Sequence, residues 1–123
     1  MQNLRDIAQA FMRTARAELE EGLSTNNHVR IRDAAEKAWN AAIQATDHAM
    51  QAHERLPIPG RDAHRDRRDF LESIGRWDLA QKYTYFAERL HGDVFYGGAA
   101  VPTASLRRYL DEVEDYIRQV SAA

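Results

Sequence analysis

Cysteine is absent from the 123 residues, which excludes disulfides and thiolate chemistry and is compatible with a reducing compartment. Lysine is almost absent as well. Lys37 and Lys82 are two of seventeen basic residues, and the rest are arginines, whose planar fork suits bidentate carboxylate or phosphate contacts. The three prolines fall where helices are expected to close or open, and strand signals are missing. No run of about eighteen apolar residues occurs, and charge enters the first apolar residues of MQNLRDIAQAF. Neither a membrane span nor a signal peptide is therefore expected, and the cytoplasm is the expected compartment. A net charge of -2 gives no whole-molecule attraction to nucleic acid, so any grip on phosphate must come from a local patch.

Apolar residues recur at helical spacing along nearly the whole chain. Leu4, Ile7, Ala8, Phe11, Ala15 and Leu19 form one stripe, which Gly22 is expected to end. After LSTNN, a second helix is predicted from His28 to Arg55, closed by Pro57 and Pro59. Its stripe of Ile31, Ala35, Ala38, Ala42, Ala45, Ala49 and Ala52 is small enough for close backbone approach, which marks it as the central helix, with Trp39 and Thr46 at the border. A third helix fits Asp62 to Ile74 with Gly75 as its stop, and a fourth fits Asp78 to Tyr96 before Gly97 and Gly98. Pro102 and Thr103 announce a fifth, striped by Leu106, Tyr109, Leu110, Val113, Ile117 and Val120. The expectation is an all-α single domain over residues 1–123, an antiparallel up-and-down bundle of about five helices.

The stretch GRDAHRDRRDF, residues 60–70, packs four arginines, three aspartates and a histidine into the third helix. At about 100° per residue, Arg61, Arg65, Arg68 and Asp69 point away from the apolar stripe. Pairing such as Arg65 with Asp69, and Asp62 at the helix start, accounts for most of this charge. Arg67 differs. It falls between Ala63, Phe70, Leu71 and Ile74, so its guanidinium must pair with a carboxylate, cross the core rim, or face a partner or ligand.

His53 lies on the alanine stripe and His91 on the edge of the fourth helix's apolar face. In an antiparallel bundle, the end of the second helix, the start of the third, the end of the fourth and the start of the fifth are expected to meet. His53, His64, Arg67, Arg68, His91 and Tyr96, with Arg107 and Arg108, are therefore the candidate ligand-binding residues. No catalytic residue is assigned. His-x-Asp occurs at His64 to Asp66 and at His91 to Asp93, but residues two apart on a helix diverge by about 200° and cannot chelate one ion. No metal or cofactor is expected, and no phosphate loop, zincin helix or nucleophile elbow is present.

DAAEKAWNAAIQA in the second helix, AHRD opening the third and AERLHGDVFYGG ending the fourth resemble, in this order, the PaREP-type helical proteins related to the HEPN superfamily of nucleotide-binding and ribonuclease domains. The resemblance spans roughly residues 20 to 120. It implies a HEPN-like bundle of four or five helices that often dimerises, and Tyr85 and Phe95, off the main stripes, are the aromatics expected to need a dimer's cover. Ribonucleolytic HEPN domains carry an arginine, four to six residues, then a histidine. None of the five histidines here has an arginine five to seven positions before it. The leading expectation is a noncatalytic, dimeric binding or adaptor module whose ligand is a nucleotide, RNA or a partner protein. The alternatives are a divergent metal-independent ribonuclease using His64, His91 and neighbouring arginines, and a purely structural or regulatory oligomer.

Overall fold

The computed structural model describes residues 3–55, 58–60, 62–98 and 100–123. Among these are five helices and no strand: α1 (Leu4–Thr25), α2 (His28–Ala52), α3 (Ala63–Ser73), α4 (Trp77–Phe86) and α5 (Thr103–Ser121). α4 continues without a break as a π-helical segment, Ala87–Tyr96. No helix of the described residues is long and apolar enough to cross a membrane. Pro57, expected to close α2, and Arg61, expected on the outer face of α3, lie outside the described residues.

α2 packs against all the others, and its small residues explain why it can. Ala34, Ala35, Ala38, Ala41, Ala42, Ala45 and Ala49 are all buried, so neighbours approach its backbone closely. α1 returns antiparallel along it, with Glu21 paired to Arg30 and Glu18 to Lys37. Gly22 does not end α1. The helix runs on to Thr25, and the left-handed cap is Asn26 at φ 53°. Gly22 is instead a packing residue: a Cβ built there would lie 2.9 Å from Ile31 Cγ1 and 3.1 Å from the Ile31 nitrogen.

α5 runs parallel to α2, and Thr46 meets Tyr116 in the core. Thr46 Oγ1 donates to the Ala42 carbonyl at 2.7 Å, which leaves the Tyr116 hydroxyl to donate to Thr46 at 2.6 Å. α4 and the π segment run antiparallel to α2, from Tyr83 beside Trp39 to the carbonyls of Phe95 and Tyr96 above Arg32.

α3 departs from the expected alternation. His64 lies on Trp39, Arg67 on Asp47, Phe70 on His53 and Ser73 on Arg55, so α3 runs parallel to α2. α3 therefore begins part-way back along the bundle from the end of α2, with His64 level with Trp39. The connection before it is tied down where the Ile58 amide donates to Asp66 Oδ2 at 2.7 Å. The expected meeting of helix ends is therefore corrected. The end of α2 lies at the opposite end of the bundle from the end of the π segment and the start of α5. The Arg65–Asp69 pairing is replaced by Arg65–Asp62 at 3.6 Å.

Candidate functional site

The quoted segments of α2, α3 and the π segment converge on the flank of the bundle around Trp39, which is 2% exposed. The His64 ring lies 5.5 Å from its centroid, Tyr83 4.9 Å and His91 6.3 Å. Two imidazoles and a phenol thus cover one indole. Each ring comes from a different turn of the structure, which is why no local motif reveals the cluster.

Beneath His64 lies a buried ionic network. Arg67 donates from Nε to Asp47 Oδ1 at 2.7 Å and from Nη2 to Oδ2 at 3.1 Å, the paired geometry that a guanidinium and a carboxylate favour. Its Nη1 donates to the Tyr83 hydroxyl at 3.2 Å and to His64 Nδ1 at 3.0 Å. Since arginine only donates, Nδ1 must be unprotonated, so the neutral His64 carries its proton on Nε2. The Tyr83 hydroxyl, 2.7 Å from the same Nδ1, then donates to it as well. Nε2 is on the far side of a ring whose outer edge is exposed.

Burial depresses the His64 pKa below its ordinary value, and the positive charges of Arg67 and Arg68 add to the effect, with Asp47 opposing. Burial pushes the Tyr83 phenol up to about 12, against the pull of Arg67. Burial alone would disfavour charge on Arg67, but its hydrogen bonds to Asp47 and the charges around it outweigh that and raise its pKa. Tyr116, fully enclosed, is likewise pushed up by burial.

His91 faces the same indole from the other side. Its Nδ1 lies 2.7 Å from Glu36 Oε2, and the rings of Phe95 and Tyr96 sit 6.1 and 4.8 Å away. The π-helical winding makes this grouping possible. In an α-helix, residues five apart diverge by roughly 140°, so Tyr96 would turn away from His91. With i→i+5 bonds, such as Gly97 N–H to the Gly92 carbonyl at 2.8 Å, the two return to one side. Gly97 closes the segment, because a Cβ there would come within 2.8 Å of the Asp93 carbonyl oxygen. Tyr96 itself stays 69% exposed.

Of the six candidate residues, His64, Arg67, His91 and Tyr96 belong to this flank. His53 does not: it caps α2 at the far end, against Phe70, with Nε2 3.5 Å from the Ala123 carbonyl. Arg68 points to the other side of α3 and lines a groove with Trp77 and Tyr85. Arg107 pairs with Glu20 at 2.8 Å and Arg108 with Glu112 at 3.5 Å, away from the cluster. Nor do Arg67 and Arg68 work as a pair here, since Arg68 faces away and four of the five Arg67 N–H donors are committed within the fold. His64 and His91 turn their Nδ1 atoms to Arg67 and Glu36, while Asp66 accepts from Ile58 and Asp93 pairs with Arg89.

Asp47, Tyr83 and Glu36 were not singled out as site residues. The signal for Asp47 was indirect: a carboxylate is one of the partners an arginine on an apolar face can take, and nothing in the sequence says which helix supplies it. Tyr85 and Phe95 find cover within the chain, Tyr85 against Phe86 and Tyr109 and Phe95 against His91 and Tyr96. Among the described residues, the exposed large apolar ones are Val29, Ile58, Trp77 and Tyr96. Comparison of the chain with protein-family models, with curated proteins and with solved structures gives no match.

Proposed function

We propose that the chain is a noncatalytic, HEPN-like binding module that holds an unpaired base of a nucleotide or RNA against the Trp39 flank. The observation that carries this reading is the convergence of Glu36, Trp39, His64, His91 and Tyr96, contributed by three separate helical segments, on one side of the bundle. Tyr96 offers an exposed ring for stacking, and His64 offers an outward N–H for a base edge, the combination that single-stranded nucleic acid favours. Acid-base cleavage of RNA fits less well. Arg67, the guanidinium beside His64, is held by Asp47 and Tyr83 and has no Nη1 proton to turn toward a phosphate. In this reading the module works as a homodimer, and Trp77, 62% exposed on the opposite side of α3 and α4, is the residue a second copy would cover.

A Trp77→Phe background leaves Trp39 as the sole tryptophan, so its emission reports the flank directly. Titration with nucleotides and short RNA should quench it, with affinity falling as salt rises and lost in Tyr96→Ala. The RNA should remain intact, with or without EDTA. Cleavage that persists in EDTA would replace this reading with the ribonuclease. No change in emission with any nucleotide or RNA at low salt would refute base binding at this flank.

A further inference from the structure

A second site lies at the end of the bundle where the α1–α2 turn, the end of the π segment and the start of α5 meet. There a pocket of about 350 Å³, within the range of small-molecule sites, opens to solvent. Its floor is apolar, formed by Ile31, Val94, Val101 and Leu106. Its rim is polar and one-sided in charge: Arg32 and His28 are its ionisable lining residues, and no carboxylate lines it.

Two features turn that rim toward an anion. Arg32 uses Nε and Nη2 on the carbonyls of Phe95 and Tyr96, at 2.7 and 3.4 Å, which fixes the guanidinium in place. Its Nη1 takes no acceptor among the described residues and lies beside Gly98, where even an added Cβ would remain 3.8 Å from it. Across the mouth, α5 begins at Thr103 without a side-chain cap, because its N-cap residue is Pro102. Ser105 and Leu106 donate to the Pro102 carbonyl, whereas the amides of Thr103 and Ala104 meet no acceptor among the described residues. The uncapped positive end of a nineteen-residue helix, whose first residue Thr103 lines the pocket, thus stands at the same mouth as a pinned guanidinium.

The geometry points to a binding site for a small amphiphilic monoanion, a carboxylate on a short apolar body. The carboxylate sits between Arg32 and the first turn of α5, and the apolar body lies on Val94, Val101 and Leu106. A single guanidinium with one nitrogen left without an acceptor among the described residues suits a monoanion better than a doubly charged phosphate.

Octanoate, octylamine and octanol form a probe set in which the tail is constant and the head charge changes sign. Calorimetry at pH 7 should give octanoate about tenfold or more tighter than either, the factor expected of one charge-assisted hydrogen bond. In two-dimensional amide spectra the Thr103 and Ala104 signals should move most. Val101→Trp, which fills the floor, should abolish binding while keeping the fold. Arg32→Gln should remove the preference for the acid, and Val101→Trp keeps the test decisive where loss of the Arg32 tie disturbs the π segment. Equal binding of the amine, octanoate binding that persists in Val101→Trp, or no binding below the solubility limit would each overturn the assignment.

Discussion

Replacing Arg67 by alanine removes four hydrogen bonds at once and leaves Asp47 and the Tyr83 hydroxyl facing a cavity. Breaking one side of a buried ion pair costs about 3–5 kcal/mol. Arg67 is 8% exposed, but the Asp47 side chain keeps 16% of its surface in contact with water and recovers part of its hydration when its partner is lost. The lower end of the range, about 3 kcal/mol, is therefore expected. For a chain of this size that corresponds to a fall in Tm of roughly 10–15 °C. Arg68→Ala, one residue away and without a partner among the described residues, should stay within about 0.5 kcal/mol of the parent. Urea unfolding followed by far-ultraviolet circular dichroism measures both. An apolar replacement of the whole pair, Asp47→Leu with Arg67→Met, should recover much of the loss, since no buried charge is then left unpaired. If Arg67→Ala unfolds at the same urea concentration as Arg68→Ala, the network does not hold α3 to the bundle and the reasoning fails.

Trp39→Ala should cost about 3–5 kcal/mol, because the indole is enclosed on all sides, and a smaller loss in the same urea series would show that the flank collapses to fill the space. Thr46→Val strands the buried Tyr116 hydroxyl and should cost about 1–3 kcal/mol, whereas the double variant with Tyr116→Phe should be less destabilised than Thr46→Val alone; a double-mutant cycle reads the coupling. His64 has a folded pKa below its unfolded value of about 6.5, so the unfolded chain binds more protons between those two values. Stability on this account is full above about pH 6.5 and falls as the pH drops through the window. His64→Gln should flatten that part of the profile, and an unchanged slope in urea midpoints between pH 7 and 5 would assign the dependence to other groups.

The helices were legible because their stripes are long and regular: each inward residue of α5 from Leu106 to Val120 is buried, and the alanine face of α2 is the centre of the core. A stripe reveals which side of a helix faces inward but not its height along the bundle or its direction. The parallel course of α3 was therefore hidden in the connection after His53, and with it the separation of His53 from His64. Gly22 read as a stop because a glycine that ends a helix and one that lets two helices touch look alike in sequence. The grouping of His91 with Tyr96 was out of reach of any projection at α-helical spacing, since the π segment does not wind that way. Arg67 was legible in part: its place on an apolar face required a carboxylate, a path across the core rim, or a partner or ligand, and Asp47 makes it the first of these.

Because the segment Ala87–Tyr96 closes its turns at i→i+5, it can absorb a change in chain length that an α-helix cannot. Deleting Gly92, whose added Cβ would meet nothing closer than 3.6 Å, lets the remaining residues rewind with i→i+4 bonds. Tyr96 then stands four positions after His91 in an α-helix, the side it now reaches five positions on, and Val94, three positions after Leu90, keeps its inward direction. A single lost codon would thus leave the helix, the bundle and the aromatic over the imidazole in place, so that this flank tolerates a change of length that would turn every later side chain of an α-helix by about 100°.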